Sequence, residues 1–383
     1  MHLVAVVGAR PNFMKMAPVL REARKCEGVD VTFVHTGQHY DEEMSKIFLK
    51  DLDLPEPDVY LGAGSGSHAE QTAKIMVAFE QFLVRQKADL VIVGGDVNST
   101  LACALVASKL LVPVAHVEAG LRSFDRTMPE EINRVVTDAL SELLFTTSED
   151  ANENLEREGI PKEKVFFVGN TMIDSLMAYL DRALETGIQD RMGVEEGNYA
   201  LLTLHRPSNV DNPRTLNGIL DALEWIQGRV KLLFPVHPRT RERLQGFGMN
   251  PRLSRMPKFC LLPPLGYLEF LGLMARARLV LTDSGGIQEE TTILGVPCVT
   301  LRWNTERPVT LHQGTNVLAG NDPSRIISAA REILDGKDML TARPRLWDGK
   351  AAGRIVEVIK HWQPAASHGN QGAETGLDGE GSL

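Results

Sequence analysis

Residues 279–296 read LVLTDSGGIQEETTILGV. Leu279, Val280 and Leu281 form a short apolar run of the kind found in a buried strand, Asp283-Ser284-Gly285-Gly286 is a turn, and a helix-forming segment follows. A strand that passes through a glycine turn straight into a helix is half of a βαβ unit, and sheets built from such units are parallel. The two glycines let backbone N–H groups approach a ligand with no Cβ in the way. The first helical turn then aims its unpaired N–H groups and its dipole at an anion. The anion expected here is a diphosphate. Glu290, about one to two turns further on, is placed to accept hydrogen bonds from the two hydroxyls of a ribose. Taken alone, the stretch reads equally well as a strand–helix junction capped by Ser284.

Working outward, the same strand–helix alternation covers nearly the whole chain. Strand candidates are Leu3–Val7, Val31–His35, Leu90–Val93, Val114–Val117, Leu143–Thr146 and Val165–Val168 in the first half. In the second half they are Ala200–Leu204, Lys231–Pro235, Phe259–Leu261, Leu279–Thr282 and Pro297–Leu301. Two series of similar size predict an α/β protein of two Rossmann-like parallel-sheet domains facing one another, over residues 1–170 and 171–363, with the boundary near Gly169–Asp174. The last helix, near Ala351–Trp362, is a candidate to pack back on the first domain. Residues 364–383 carry almost no apolar side chain, so a disordered tail is expected and His368 within it has no functional weight. With 383 residues, 43% hydrophobic, the chain is long enough for two cores. A net charge of −9 argues against non-specific nucleic-acid binding. The absence of a run of about 18 apolar residues argues against a membrane span. The N-terminal MHLVAVVGARPNFMK reads as strand and loop, not as a secretory leader. Cys26, Cys103, Cys260 and Cys298 lie far apart in mostly apolar surroundings, as reduced core residues of a cytoplasmic protein do.

Sites in open α/β sheets lie beyond the carboxyl ends of the strands. Reading those ends alone gives a polar set that a structural protein would not need. After the first strand comes Gly8-Ala9-Arg10-Pro11-Asn12-Phe13-Met14-Lys15, two cations at a helix start, where an anion is the natural partner. The loop is not GxGxxG, which weighs against a dinucleotide cofactor. Asp96 ends the glycine turn Gly94-Gly95-Asp96, and Glu118 follows the strand ending at Val117. Pro129-Glu130-Glu131 opens a helix, with acids in the favoured first turn. Acids converging on one crevice can run acid and base steps together. Thr203-Leu204-His205-Arg206 and Pro235-Val236-His237-Pro238-Arg239 repeat a histidine-with-arginine pattern after two strands of the second half. HExxH, His-x-His, CxxC and GxSxG patterns are absent, so the expected chemistry is acid–base without metal or nucleophilic serine.

Taken in order, GARPNFMKMAP, GGDVNSTLA, HVEAGLRSFDRTMPEEINR, VGNTMID, TLHRP, PVHPR, TDSGGIQEE and TERP closely resemble the non-hydrolysing UDP-N-acetylglucosamine 2-epimerases from Met1 to about Trp362. The resemblance implies a GT-B fold with the active site in the interdomain cleft and interconversion of UDP-N-acetylglucosamine (UDP-GlcNAc) and UDP-N-acetylmannosamine (UDP-ManNAc). It implies no metal or redox cofactor, and a homodimer. It places catalytic acids at Asp96, Glu118 and Glu130 and the catalytic histidine at His205. Arg10, Lys15, His237 and Ser284, Gly285 and Gly286 fall at the diphosphate, Glu290 at the ribose, Phe270 at the uracil and Arg307 at the nucleotide region. The chain departs from the family pattern at Asn12, at Gly94, Val97 and Asn98, and at Pro207-Ser208-Asn209. The altered Asn12 and Pro207–Asn209 regions leave room for a modified sugar such as UDP-2,3-diacetamido-glucuronate. A GT-B glycosyltransferase would share the Ser-Gly-Gly turn and the distal Glu, yet has no need of the acid set, and a non-catalytic sensor would be expected to have lost it.

Overall fold

The computed structural model describes residues 1–38, 49, 51–337 and 342–363, the side chains of Arg10 and Pro11 excepted. Its framework is two parallel sheets. The first holds β1 (His2–Val7), β2 (Asp30–His35), β3 (Val59–Tyr60), β4 (Leu90–Gly94), β5 (Val114–Ala119), β6 (Leu143–Thr146) and β7 (Val165–Phe167) in the order β3-β2-β1-β4-β5-β6-β7. The second holds β8 (Tyr199–Thr203), β9 (Lys231–Pro235), β10 (Phe259–Leu262), β11 (Leu279–Thr282), β12 (Cys298–Thr300) and β13 (Asn316–Leu318) in the order β10-β9-β8-β11-β12-β13. Every strand candidate read from the sequence forms. The two-residue β3 and the polar-led β13 are additional, both too short to show a period.

The order reverses between β1 and β4 in the first sheet and between β8 and β11 in the second. Those reversals open the crevices in which doubly wound sheets bind ligands. Helices cover both faces, so strands such as β4, Leu-Val-Ile-Val-Gly, are buried at every position. Close packing at the first crevice dictates Gly8. A Cβ there would lie 2.0 Å from Ser99 Oγ, at the start of the helix Asn98–Lys109.

One apolar cluster runs from Leu3 and Ala5 of the first sheet through Leu176 and Tyr179 to Leu201 and Val280 of the second. The helix Thr171–Leu184 carries it across, packing on Arg10–Lys25 on one side and Tyr267–Ala275 on the other. The closing helix Ala351–His361 returns to pack on Arg10–Lys25. Asp174 fixes its start by accepting hydrogen bonds from the N–H groups of Ala351 and Ala352 at 3.1 and 2.7 Å. Among the described residues, no helix is long and apolar enough to cross a membrane.

Candidate functional site

The carboxyl ends of β4 and β5 set the acids. Val117 and Ala119 sit on either side of a register shift against β6, and Glu118 between them has φ +72°. A bulge of this kind re-aims a side chain, and a non-glycine residue in the left-handed region is strain that the surroundings must hold in place. The re-aimed Glu118 carboxylate is buried between two cations. Lys15 pairs with one oxygen, and Arg307 Nη2 lies 2.9 Å from the other. Gly95, φ +67°, sits beneath this group, and a Cβ there would come within 2.7 Å of Lys15 Nζ. Within the free protein, then, the anion facing Lys15 is Glu118.

Asp96 is half-buried and pairs with Arg134. Burial pushes its pKa up, but Arg134, Lys15 and Arg307 outweigh this and hold it below the usual range. Arg134 also grips Glu131 at 2.6 Å, and Glu131 accepts from the Ser123 N–H and hydroxyl and the Phe124 N–H. The two adjacent acids of the helix Pro129–Leu140 therefore part company. Glu131 is buried and fully engaged, whereas half-buried Glu130 has no hydrogen-bond or ion-pair partner among the described residues.

From the second sheet, Arg307 reaches Glu306 at 2.5 Å and, as an ion pair without hydrogen-bond geometry, Glu289 at 2.9 Å. Arg302 pairs with Glu306 at 2.7 Å. Burial raises Glu289 to about 7, with Arg307 opposing. Gly285 is required by this packing, because a Cβ would lie 2.4 Å from Arg307 Nη1 and 2.8 Å from Glu306 Oε1. A Cβ on Gly286 would meet the flexible end of Met172 at 3.2 Å. Ser284 stands at the N-cap of the helix Gly285–Leu294, yet its side chain makes no capping bond, so the capped-junction reading does not describe this turn.

His205 follows β8, with its ring about two-fifths exposed. Its Nδ1 lies 2.9 Å from Asp283, which also accepts from the N–H groups of His205 and Arg206 and from Asn209. Burial pushes Asp283 up, but His205 and these N–H groups bring it down to about 2. A carboxylate at Nδ1 places the proton there and leaves Nε2 for chemistry. The ring of His237, after β9, stands 5.7 Å from that of His205. Glu290 is buried, 3.1 Å from the Tyr267 hydroxyl, and burial lifts it to about 8. Phe270 is partly buried at the rim of the core. The Arg10 side chain lies outside the described residues.

Contacts across the cleft join the halves. Arg206 and Arg302 reach the Met128 sulfur, Asn304 reaches Asp125 at 3.2 Å, and Arg307 reaches Glu118. Lys15, Glu118, Arg307 and Gly285 thus meet directly, and Asp96, held by Arg134, lies close enough to Lys15 and Arg307 to feel their charge. His205 and His237 form a neighbouring pair, while Glu290 and Phe270 stand further along the second sheet. Reading strand ends missed Arg134, Arg302 and Glu306 as members of the site, although Arg134 and Glu306 lie inside PEEINR and TERP. It also gave Asp283 no task of its own. Among the described residues, no three His, Cys, Asp or Glu side chains gather as a metal site would.

The departures at Asn12 and Asn209 have internal explanations. The Asn12 amide donates to the Gly94 carbonyl at 2.6 Å and accepts from the Ala9 N–H at 3.0 Å, bridging the two glycine turns. Asn209 donates to Asp283 and to the Leu301 carbonyl.

A model of the UDP-N-acetylglucosamine 2-epimerase family matches residues 21–360. The chain is 45% identical over 376 residues to a Methanocaldococcus jannaschii UDP-N-acetylglucosamine 2-epimerase, covering 94% of this chain and 99% of the relative. It is 40% identical over 363 residues to a Pseudomonas aeruginosa UDP-2,3-diacetamido-2,3-dideoxy-D-glucuronate 2-epimerase, covering 94% and 99%. The crystal structure of the M. jannaschii UDP-GlcNAc 2-epimerase in complex with UDP-GlcNAc and UDP is similar, with a TM-score of 0.89 at 45% identity, over 94% of this chain and all of that one.

Proposed function

The chain belongs to the UDP-N-acetylglucosamine 2-epimerase family, and we propose how its cleft interconverts UDP-GlcNAc and UDP-ManNAc. Residues 1–170 supply the acids and 171–363 the UDP site. The diphosphate sits at the start of the helix Gly285–Leu294, near Ser284 and Gly286, with Arg10, Lys15, His237 and Arg307 around it. Glu290 takes the ribose, and Phe270 packs on the uracil. A base removes the sugar C2 proton. The C2–H electron pair becomes a C1–C2 double bond, and the C1–O bond breaks with its pair leaving on UDP. Re-addition of UDP with protonation of C2 from the opposite face completes the exchange. Asp96, Glu118, Glu130 and His205 share the proton transfers. The cations and helix-end N–H groups answer the charge that develops on the departing diphosphate.

The observation that carries this reading is Glu118, turned by a bulge to face Lys15 and Arg307 from the two halves of the cleft. It puts an acid beside the cations that a leaving diphosphate needs. The relative acting on a diacetamido-glucuronate keeps a modified sugar as the alternative, but Asn12 and Asn209, which first suggested it, are spent on internal hydrogen bonds. Incubation with UDP-GlcNAc alone in D₂O, followed by NMR, tests the reading. Formation of UDP-ManNAc with deuterium at C2 is expected. No exchange on UDP-GlcNAc together with turnover of the diacetamido sugar would move the substrate.

A homodimer fits the helix Pro129–Leu140, which is inside out. Its buried residues are Glu131, Asn133, Arg134, Thr137 and Asp138, while Ile132, Val135 and Val136 are each more than a third exposed. An apolar stripe at i, i+3, i+4 turned away from its own core is suited to a second copy of the same face. Four unpaired cysteines accord with a cytoplasmic setting.

A further inference from the structure

Behind the cleft, wholly removed from solvent, His116 and Asp138 form a network that the proton transfers do not use. Both side chains are fully buried. Asp138 Oδ1 lies 2.6 Å from His116 Nδ1, and the opposite ring nitrogen, Nε2, lies 2.8 Å from the Gly95 carbonyl oxygen. Asp138 Oδ2 accepts from the Gly120 N–H at 3.1 Å and pairs with Arg122 at 2.7 Å. A carbonyl can only accept, so Nε2 carries a proton. Nδ1 faces the Asp138 carboxylate, which Arg122 and the Gly120 N–H also engage. The ring is therefore hydrogen-bonded at both ends, to a carboxylate on one side and a backbone carbonyl on the other.

The partners of this pair are the turns that present the acids. Gly95 precedes Asp96. Gly120, φ +79°, completes the turn that holds Glu118 at φ +72°. The helix that carries Asp138 has Glu130 in its first turn, and it grips Asp96 through Arg134 and through Asn133, which donates to the Asp96 carbonyl at 2.9 Å. Three acids from three segments are thus referred to one buried carboxylate. A buried ion pair is weak evidence for stability, since an apolar pair of similar volume often does as well. Its distinctive contribution is directional: fixed hydrogen bonds to two backbone turns.

We propose that Asp138 and His116 are positioning residues that set the turns of Asp96 and Glu118 at a fixed separation for proton transfer at the sugar C2. The inference rests on the epimerase reading. Neither residue reaches substrate, so their loss acts on geometry, where a displacement near 1 Å is worth on the order of 100-fold in rate.

The test compares wild type with Asp138→Asn, His116→Leu and His116→Gln. Two readouts are used, backbone amide exchange at residues 94–96 and 118–121 and steady-state epimerisation of UDP-GlcNAc. In Asp138→Asn and His116→Leu both turns should exchange faster together. Their kcat should fall about 100-fold, with KM and UDP affinity within about threefold of wild type. His116→Gln, whose amide can still donate to the Gly95 carbonyl, should recover about tenfold over His116→Leu. Unchanged kcat in Asp138→Asn, loosening of one turn without the other, or a Gln variant no better than Leu would overturn the proposal. Should His116→Leu fail to fold, as judged by UDP binding, Asp138→Asn decides by the same two readouts. A wild type that shows no C2 exchange counts against the epimerase reading instead, and the amide exchange of the variants still decides whether the two turns share one anchor.

Discussion

At Asp283, burial works against ionisation and the N–H groups and imidazole around it work for it, with a net pKa of about 2 against an ordinary 3.8. The folded-state value is the lower one, so the stability this carboxylate contributes is complete above about pH 4 and is lost as pH falls toward 2. The depression corresponds to roughly 2 kcal/mol. Asp283→Asn should be less stable than wild type by about that much at pH 7, and denaturant titrations should show the gap narrowing below pH 4. A constant gap would mean that the residue acts only by packing. Because the same carboxylate aims His205, kcat should fall by about 100-fold with KM nearly unchanged. The adjacent glycines divide by what a methyl group would meet. Gly285→Ala drives a Cβ into Arg307 and Glu306, and should lower stability by about 1–3 kcal/mol as well as activity. Gly286→Ala meets only the end of Met172. It should melt within a few degrees of wild type while weakening UDP binding about tenfold or more, because in the proposed binding mode the methyl group enters the space of the diphosphate. Thermal melts and calorimetry with UDP separate the two, and equal effects on both would show that neither glycine faces the ligand.

The helix Pro129–Leu140 shows where elements could be read from the sequence and where they could not. Its start was legible, since Pro129 and two acids are first-turn residues. Its Ile132, Val135 and Val136 share one face, but such spacing does not say which face meets the protein's own core, and here that face is polar. Strand ends were legible because glycines and charges interrupt apolar runs there, so Asp96, Glu118, His205 and His237 could be picked out one by one. Their partners could not. Arg134 meets Asp96 from 38 residues away and Asp138 meets His116 from 22, and such pairings follow from the strand order, not from any local pattern. That order was not readable beyond its class, and β3 and β13 were invisible because two or three residues carry no period. The exposed stripe makes a prediction at this scale. Val135→Glu should convert a dimer to a monomer in sedimentation velocity, raising the dissociation constant at least about 100-fold. The melting temperature of the monomer should fall by only a few degrees, because Val135 is partly open to solvent and the Glu side chain can turn outward. An unchanged dimer would place the interface elsewhere.

Across the whole molecule, the two halves are held by charge as well as by the continuous core. Glu118 belongs to the first sheet and Arg307 to the second, and Lys15 closes the other side of the carboxylate. In the free protein these cations are balanced by an acid of the protein itself. In the proposed binding mode the diphosphate brings its own negative charge to the same cations, and Glu118 must share them. Glu118→Gln tests whether this competition is real, because two effects of the substitution can be set against each other. As a mere strut between the halves, Glu118 would hold the cleft in shape, and its loss would weaken UDP binding. As a competing anion, its neutralisation removes a like charge from beside the proposed diphosphate position, and a repulsion between unit charges about 6 Å apart sets the scale. That is worth about 3 kcal/mol at an effective dielectric constant of 20, before screening by salt reduces it. Leaving Lys15 without its anion, while Arg307 keeps Glu306 and Glu289, also destabilises the free protein more than the complex, which pushes in the same direction. We expect the variant to melt lower than wild type without UDP and to gain more from UDP. Its UDP affinity should tighten about three- to tenfold at low ionic strength, with the advantage shrinking as salt is added, while kcat falls at least about 1000-fold. Calorimetry across ionic strengths, with melting curves at each, reads all of these. UDP binding weakened tenfold with turnover intact would make Glu118 a strut, and the proton transfers would pass to Asp96, Glu130 and His205.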